Sequence, residues 1–145
     1  MAWEVEFTDE FGAWWADLSQ AQQEEIDAKV DLLQEHGPIL PRPHADRIES
    51  SRHSNMKELR GKVDDRLLRV LFAFDPHSTA LLLIGGDKTG DPTWYDRFVP
   101  IADNLFDDHL KELEKDRQKQ LEKERKKKLE QERKKKLEQK RKKKK

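Results

Sequence analysis

Met56–Lys88 reads MKELRGKVDDRLLRVLFAFDPHSTALLLIGGDK, two apolar runs separated by a Pro-containing turn and interrupted by cations. Runs rich in Leu, Val and Phe, bounded by Gly, Asp and Pro, predict strands over Met56–Arg60, Leu67–Asp75 and Ala80–Gly86. The links Gly61–Asp65 and Pro76–Thr79 have turn chemistry and are too short for a parallel crossover, so the three strands form an antiparallel meander.

Working outward, Trp3, Val5 and Phe7 alternate with Glu4 and Glu6, the period of a strand with one buried face. Thr8-Asp9-Glu10 supplies a cap and first-turn carboxylates for a helix whose Phe11, Trp14, Trp15 and Leu18 form one aromatic stripe, expected in the core. Ser19 and Gln22 make a capping box for a second helix through Ile26, Val30 and Leu33 that stops at Gly37. The tight link between these helices predicts an αα-hairpin. Pro38, Pro41 and Pro43 hold an extended connection to Asp46, and the polar segment Arg47–Asn55 is a short edge strand or a loop. Downstream, Asp87–Thr93 is a loop. Trp94 opens a last helix through Phe98, Ile101, Leu105 and Leu110, with Pro100 forcing a kink or restart. The fold class is α+β: an N-terminal strand and an αα-hairpin packed on an antiparallel sheet, closed by a C-terminal helix.

The formal net charge of zero over 145 residues is a cancellation. Residues 1–110 hold 11 Lys+Arg against 22 Asp+Glu (−11), and residues 111–145 hold 19 against 8 (+11). The tail carries near-repeats LEKERKKK, LEQERKKK and LEQKRKKK that begin at Leu121, Leu129 and Leu137. An eight-residue step turns each Leu about 80° past the last, so no apolar seam forms and a coiled coil is disfavoured. Glu122 to Lys126, Glu124 to Lys128, Glu130 to Lys134 and Glu132 to Lys136 are spaced for i,i+4 pairs on a solvated helix. Residues 1–112 are therefore one domain and 113–145 a helical or disordered low-complexity tail. The chain has no cysteine, which excludes disulfides and Cys-ligated zinc. His36, His44, His77 and His109 lie at helix ends, turns or loops without metal-ligand spacing, so no metal is expected. No run approaches the ~18 apolar residues of a membrane span, and the expectation is a soluble cytoplasmic protein.

Arg69 sits inside the apolar run Leu67–Phe74, where a charge is costly unless it is paired or opens onto a solvated groove. If the turn closes with Phe74 opposite Ala80, Arg69 falls opposite Gly85, leaving a gap where a phosphate can approach. Pairing Arg60 with Arg66 places Lys57 opposite Arg69; a one-residue slip places Glu58 there and brings Arg60 to the same face. Lys88 and Tyr95 are within reach of that face, with Arg52 and His53 at its rim. The other reading of Arg69 is a structural salt bridge with Glu58 or Asp87.

At Lys57-Glu58-Leu59-Arg60, Arg69-Val70-Leu71-Phe72 and Gly85-Gly86-Asp87-Lys88, and in its order of elements, the sequence resembles the RelE/ParE superfamily of toxins from type II toxin–antitoxin pairs, most closely the HigB or phage Gp49-like branch. The resemblance implies a RelE-like fold over the body and a ribosome-dependent mRNA endoribonuclease that inhibits translation. It needs no metal or cofactor and is held inactive by a cognate antitoxin, a small helix-turn-helix protein. It further implies that Arg69 and Lys88 stabilise the phosphate, that His53 and Tyr95 serve as acid–base groups, and that Lys57 or Arg60, whichever the register brings to that face, binds RNA, with Arg52 at the rim. Alternatives are a gyrase-inhibiting toxin of the ParE kind and a non-enzymatic nucleic-acid-binding module. The acidic body departs from the usual basic toxin, and the basic tail is a candidate contact for nucleic acid.

Overall fold

A computed structural model describes residues 2–143. The elements run β1 (Val5–Phe7), α1 (Asp9–Ala16), α2 (Gln20–His36), β2 (Ala45–Arg47), β3 (Lys57–Val63), β4 (Arg66–Phe74), β5 (Ala80–Asp87) and α3 (Trp94–Lys143). The five strands form one sheet in the order β1-β5-β4-β3-β2, antiparallel throughout except that β1 joins the β5 edge in parallel. The chain divides into two compact units, residues 1–108 and 109–145.

The caps form as the sequence predicts. The Thr8 hydroxyl accepts from Phe11 N at 3.0 Å and donates to Leu83 O at 2.6 Å, tying the start of α1 to β5. Ser19 and Gln22 close a reciprocal capping box at the start of α2, and Gly37 ends that helix at φ 64. Beyond it the expected extended segment is instead a short 3₁₀ turn, Gly37–Ile39, followed by β2 as the edge strand.

One face of the sheet carries Leu59, Leu68, Val70, Phe72, Ala80 and Leu82, buried with Phe11, Ile26 and Leu33, with Trp14, Trp15 and Leu18 packed against them. At roughly 1.5–3 kcal/mol per buried large apolar side chain, this face is strongly specified. Strand alternation sends Glu58, Arg60, Arg69, Leu71 and Ala73 to the opposite face. There α3 supplies Trp94, with Val99, Ala102 and Phe106 buried along it, whereas Ile101 is exposed. Pro100 lies inside this helix and does not restart it.

Two details displace the expected registers. Gly61 continues β3 instead of turning: a Cβ there would stand 3.1 Å from both Glu25 Cγ and Ile26 Cδ1, so the glycine serves close packing of α2 on the sheet. The turn is the Asp64-Asp65 pair, with Asp64 at φ 53 and Val63 opposite Arg66. The second detail is an irregularity of the β4–β5 ladder between Leu71 and Phe72, which pairs with Ile84 and Leu82 and leaves Leu83 as the extra residue of a bulge.

Candidate active site

These registers decide which charges meet. Arg69 stands opposite Arg60 on one side and Gly86 on the other. Neither Lys57 nor Glu58 is directly opposite it, and Gly85 is not its partner. The gap expected beside Arg69 is filled as well, because a Cβ on Gly86 would lie 2.6 Å from Trp94 Nε1. Gly85 points the other way, and a Cβ there would lie 2.2 Å from the Trp14 ring.

Glu58, two residues before Arg60 on the same face of β3, organises the cluster. Its side chain is 4% exposed, with Oε1 3.0 Å from Arg69 Nε and Oε2 3.5 Å from Arg60 Nη2. The Arg69 contact is a charge pairing, since that N–H is not aimed along a hydrogen bond; Arg69 Nη1 donates to Leu68 O at 2.9 Å. Tyr95, in the first turn of α3, donates its hydroxyl to Glu58 Oε1 at 2.6 Å. Arg60 Nη2 also donates to Asp46 Oδ2 at 3.0 Å, and Arg42 Nε reaches the same oxygen at 2.8 Å. Lys88 Nζ lies 5.3 Å from the centre of the Tyr95 ring. Asp87, the other candidate partner of Arg69, pairs with Arg66 at 3.5 Å.

The electrostatics follow from this crowding. Burial, then the hydrogen bond to Glu58 and its negative charge, hold the Tyr95 phenol above its ordinary range, so it is a proton donor at neutral pH. Burial and then the Arg69 charge pull the Lys88 ammonium below its ordinary range, with Glu58 opposing. An open cleft of about 660 Å³ is lined by Glu58, Arg60, Lys88, Tyr95, Asp46, Arg42 and the segment Arg47–Ser50. Its lining sets four cations, Arg42, Arg47, Arg60 and Lys88, against three carboxylates, Asp46, Glu49 and Glu58, and the resulting excess positive charge can accept an anion.

The remaining expected residues lie elsewhere. Lys57 is on the α2 side of β3, where its ammonium donates to Pro38 O and burial lowers its pKa. His53 Nε2 is 2.7 Å from Asp107 Oδ1 and its ring stands edge-on to Phe106, while Arg52 also pairs with Asp107. Ser51 donates its hydroxyl to the buried Asp103, which also accepts from Arg52 N at 3.2 Å. This cluster fastens the segment Ser51–His53 to α3, directly after the cleft wall. Sequence reasoning weighed Glu58 only as a salt-bridge partner and missed Asp46 and Arg42. The signal for Glu58 was its spacing of two from Arg60; Asp46 and Arg42 had none.

A family model described as phage-derived protein Gp49-like matches residues 13–107. The chain belongs to the Gp49-like family. Putative toxin HigB2 of Mycobacterium tuberculosis (strain ATCC 25618 / H37Rv) is 41% identical over 108 residues, which are 73% of this Gp49-like chain and 54% of that protein. Putative toxin HigB3 of the same organism is 42% identical over 98 residues, 67% of this chain and 84% of that protein. The chain thus spans about half the length of the first relative. Among solved structures, a free-state double mutant of the E. coli toxin RelE superposes with a TM-score of 0.48 at 12% identity, covering 68% of this chain and 96% of that one.

Proposed function

We propose that this chain is the toxin of a type II toxin–antitoxin pair and acts as a metal-independent endoribonuclease on mRNA, at the ribosome, in the cytoplasm. Two relatives named as putative toxins support the first part. The observation that carries the second is the enclosure of Glu58 by Arg60, Arg69, Lys88 and Tyr95 at the edge of an open cleft.

In this reading the RNA 2′-hydroxyl attacks the adjacent phosphorus, the bond to the 5′-oxygen breaks, and the products are a 2′,3′-cyclic phosphate and a 5′-hydroxyl. Glu58 takes the proton from the 2′-hydroxyl, and Tyr95 gives its proton to the leaving 5′-oxygen. The 2.6 Å hydrogen bond between them then returns the proton from Glu58 to Tyr95. Arg60, Arg69 and Lys88 stabilise the charge that builds on the phosphorane oxygens. A cognate antitoxin would silence the toxin by occupying this cleft or its approach.

The test is induction of the wild type and of an Arg69→Ala, Lys88→Ala variant, followed by mapping of mRNA 5′ ends. New 5′-hydroxyl ends on translated messages, absent with the variant, are expected. Growth arrest with gyrase-linked DNA breaks and no new mRNA ends would overturn the reading in favour of a ParE-like inhibitor.

A further inference from the structure

We infer that the lysine-rich end of α3 is a sequence-independent binding element for the phosphate backbone of RNA. The inference rests on the endoribonuclease reading only for the choice of RNA as the polyanion.

The helix continues to Lys143, and residues 114–142 are all exposed. Its eight-residue repeat separates the charges along the axis instead of around it. Arg125–Lys128 and Arg133–Lys136 are each four consecutive basic residues, and Lys140, Arg141 and Lys142 continue the series. At about 100° per residue, four residues surround the helix, so each block is a positive collar, repeated about every 12 Å. The glutamates lie between collars, and one of them, Glu122, pairs with Arg125 at the edge of the first collar. Ion pairs among the described residues of this stretch include Lys115–Glu112 at 3.9 Å, Arg117–Glu114 at 3.2 Å and Arg125–Glu122 at 3.8 Å. Among the described residues, no ion pair reaches Lys126–Lys128 or Lys134–Lys136, so the expected i,i+4 pairs do not form. An exposed lysine gains too little from such a pair to offset its side-chain entropy.

This distribution selects the ligand. Leu121, Leu129 and Leu137 are exposed and rotate around the helix, giving no apolar stripe for a protein groove. A collar has no preferred side, so it cannot hold a base edge in register, but it can neutralise phosphates from any direction and release their counterions. Residues 1–110, at −11, repel RNA, and the +11 of residues 111–145 offsets that repulsion within the same chain.

The experiment uses the full chain and short fluorescein-labelled 2′-O-methyl oligonucleotides of two base compositions. These lack the attacking hydroxyl, so binding is read whether or not the cleavage reading holds. Anisotropy is measured across a salt series for the wild type, a variant with lysines 126–128 and 134–136 changed to Gln, and one with the same lysines changed to Arg. Gln and Arg are both good helix formers, so the helix is retained. The expected result is equal affinity for both compositions, a slope of log K against log salt reduced by up to about 4 in the Gln variant, and the wild-type slope in the Arg variant. An unchanged slope in the Gln variant, or discrimination between compositions, would overturn the inference. So would salt-sensitive self-association of the wild type without tail-dependent RNA binding, which would assign the collars to the acidic body of a second copy.

Discussion

Arg60 and Arg69 stand directly opposite each other across β3 and β4, a pairing that like charges ordinarily destabilise. Glu58, diagonal to Arg69 and two residues from Arg60, makes it tolerable. The carboxylate is therefore both a structural neutraliser and the acceptor in the proposed chemistry, so one substitution should lower stability and cleavage while raising affinity for an anion.

Glu58→Gln leaves Arg69 and Lys88 without their nearby counter-charge and Arg60 with Asp46 alone. Removing one partner of a buried ion pair costs about 3–5 kcal/mol, and the partial exposure of Arg60, 29% of its side chain, brings the expectation nearer about 2 kcal/mol. Urea unfolding should show this loss, and added inorganic phosphate should restore more stability to the variant than to the wild type. Affinity for a non-cleavable oligonucleotide should rise while cleavage falls by about 10²–10⁴-fold. A variant that loses stability but gains no anion affinity would show that the cations do not face the ligand.

Tyr95→Phe removes the hydroxyl that donates to Glu58 Oε1. A hydrogen bond to a charged acceptor contributes about 1.5–3 kcal/mol, and partial exposure places this one at the lower end. The raised Tyr95 pKa also sets a pH dependence. Its stabilising contribution is full below the unfolded phenol value near 10 and is lost as pH rises through the higher folded value. The wild-type advantage over Tyr95→Phe in denaturant melts should therefore be constant through neutral pH and shrink only above about 10.

Lys88→Met keeps the apolar stem over the Tyr95 ring and removes the charge. Because burial and Arg69 disfavour the ammonium, the melting temperature should hold or rise while cleavage falls. A parallel loss of stability and activity would make Lys88 a structural residue.

His53→Gln separates two roles for that ring. Its nitrogen is 2.7 Å from Asp107 Oδ1, where, with the Ser51 and Arg52 contacts to Asp103, it fastens the segment behind the cleft wall. The expected result is less than about a tenfold change in cleavage together with faster amide exchange at Arg52 and His53. A larger loss with unchanged exchange would make the ring an acid–base group. The His53 hydrogen bond is the leading cause of the lowered Asp107 pKa. The contribution of Asp107 is thus present above the ordinary carboxylate value and lost as pH falls through the folded value, so His53→Gln should flatten the acid limb of stability.

Gly85→Ala and Gly86→Ala would drive a methyl to 2.2 Å from the Trp14 ring and 2.6 Å from Trp94 Nε1. Each should cost about 1–3 kcal/mol or more through displaced indoles. Gly90→Ala meets nothing within 4 Å, and at φ 66 should cost only the left-handed backbone term of about 1 kcal/mol. Thermal melts of the three variants rank these effects.

By itself, the sequence determined the kinds of element and their order. Helix caps at Thr8 and Ser19, the stop at Gly37 and the apolar runs of β4 and β5 are local signals, written in residues a few positions apart, and all appear in the structure. The oddity of Arg69 was legible for the same reason, as one charge in an apolar run. Which residues meet Arg69 was decided only by the tertiary structure. Period-2 alternation assigns a residue to a face but leaves the register open in steps of two, and a bulge alters even that. Packing of α2 on Gly61, the Asp64-Asp65 turn and the bulge at Leu83 together placed Arg60 opposite Arg69, turned Lys57 to the other face and brought Glu58 and Tyr95 into contact.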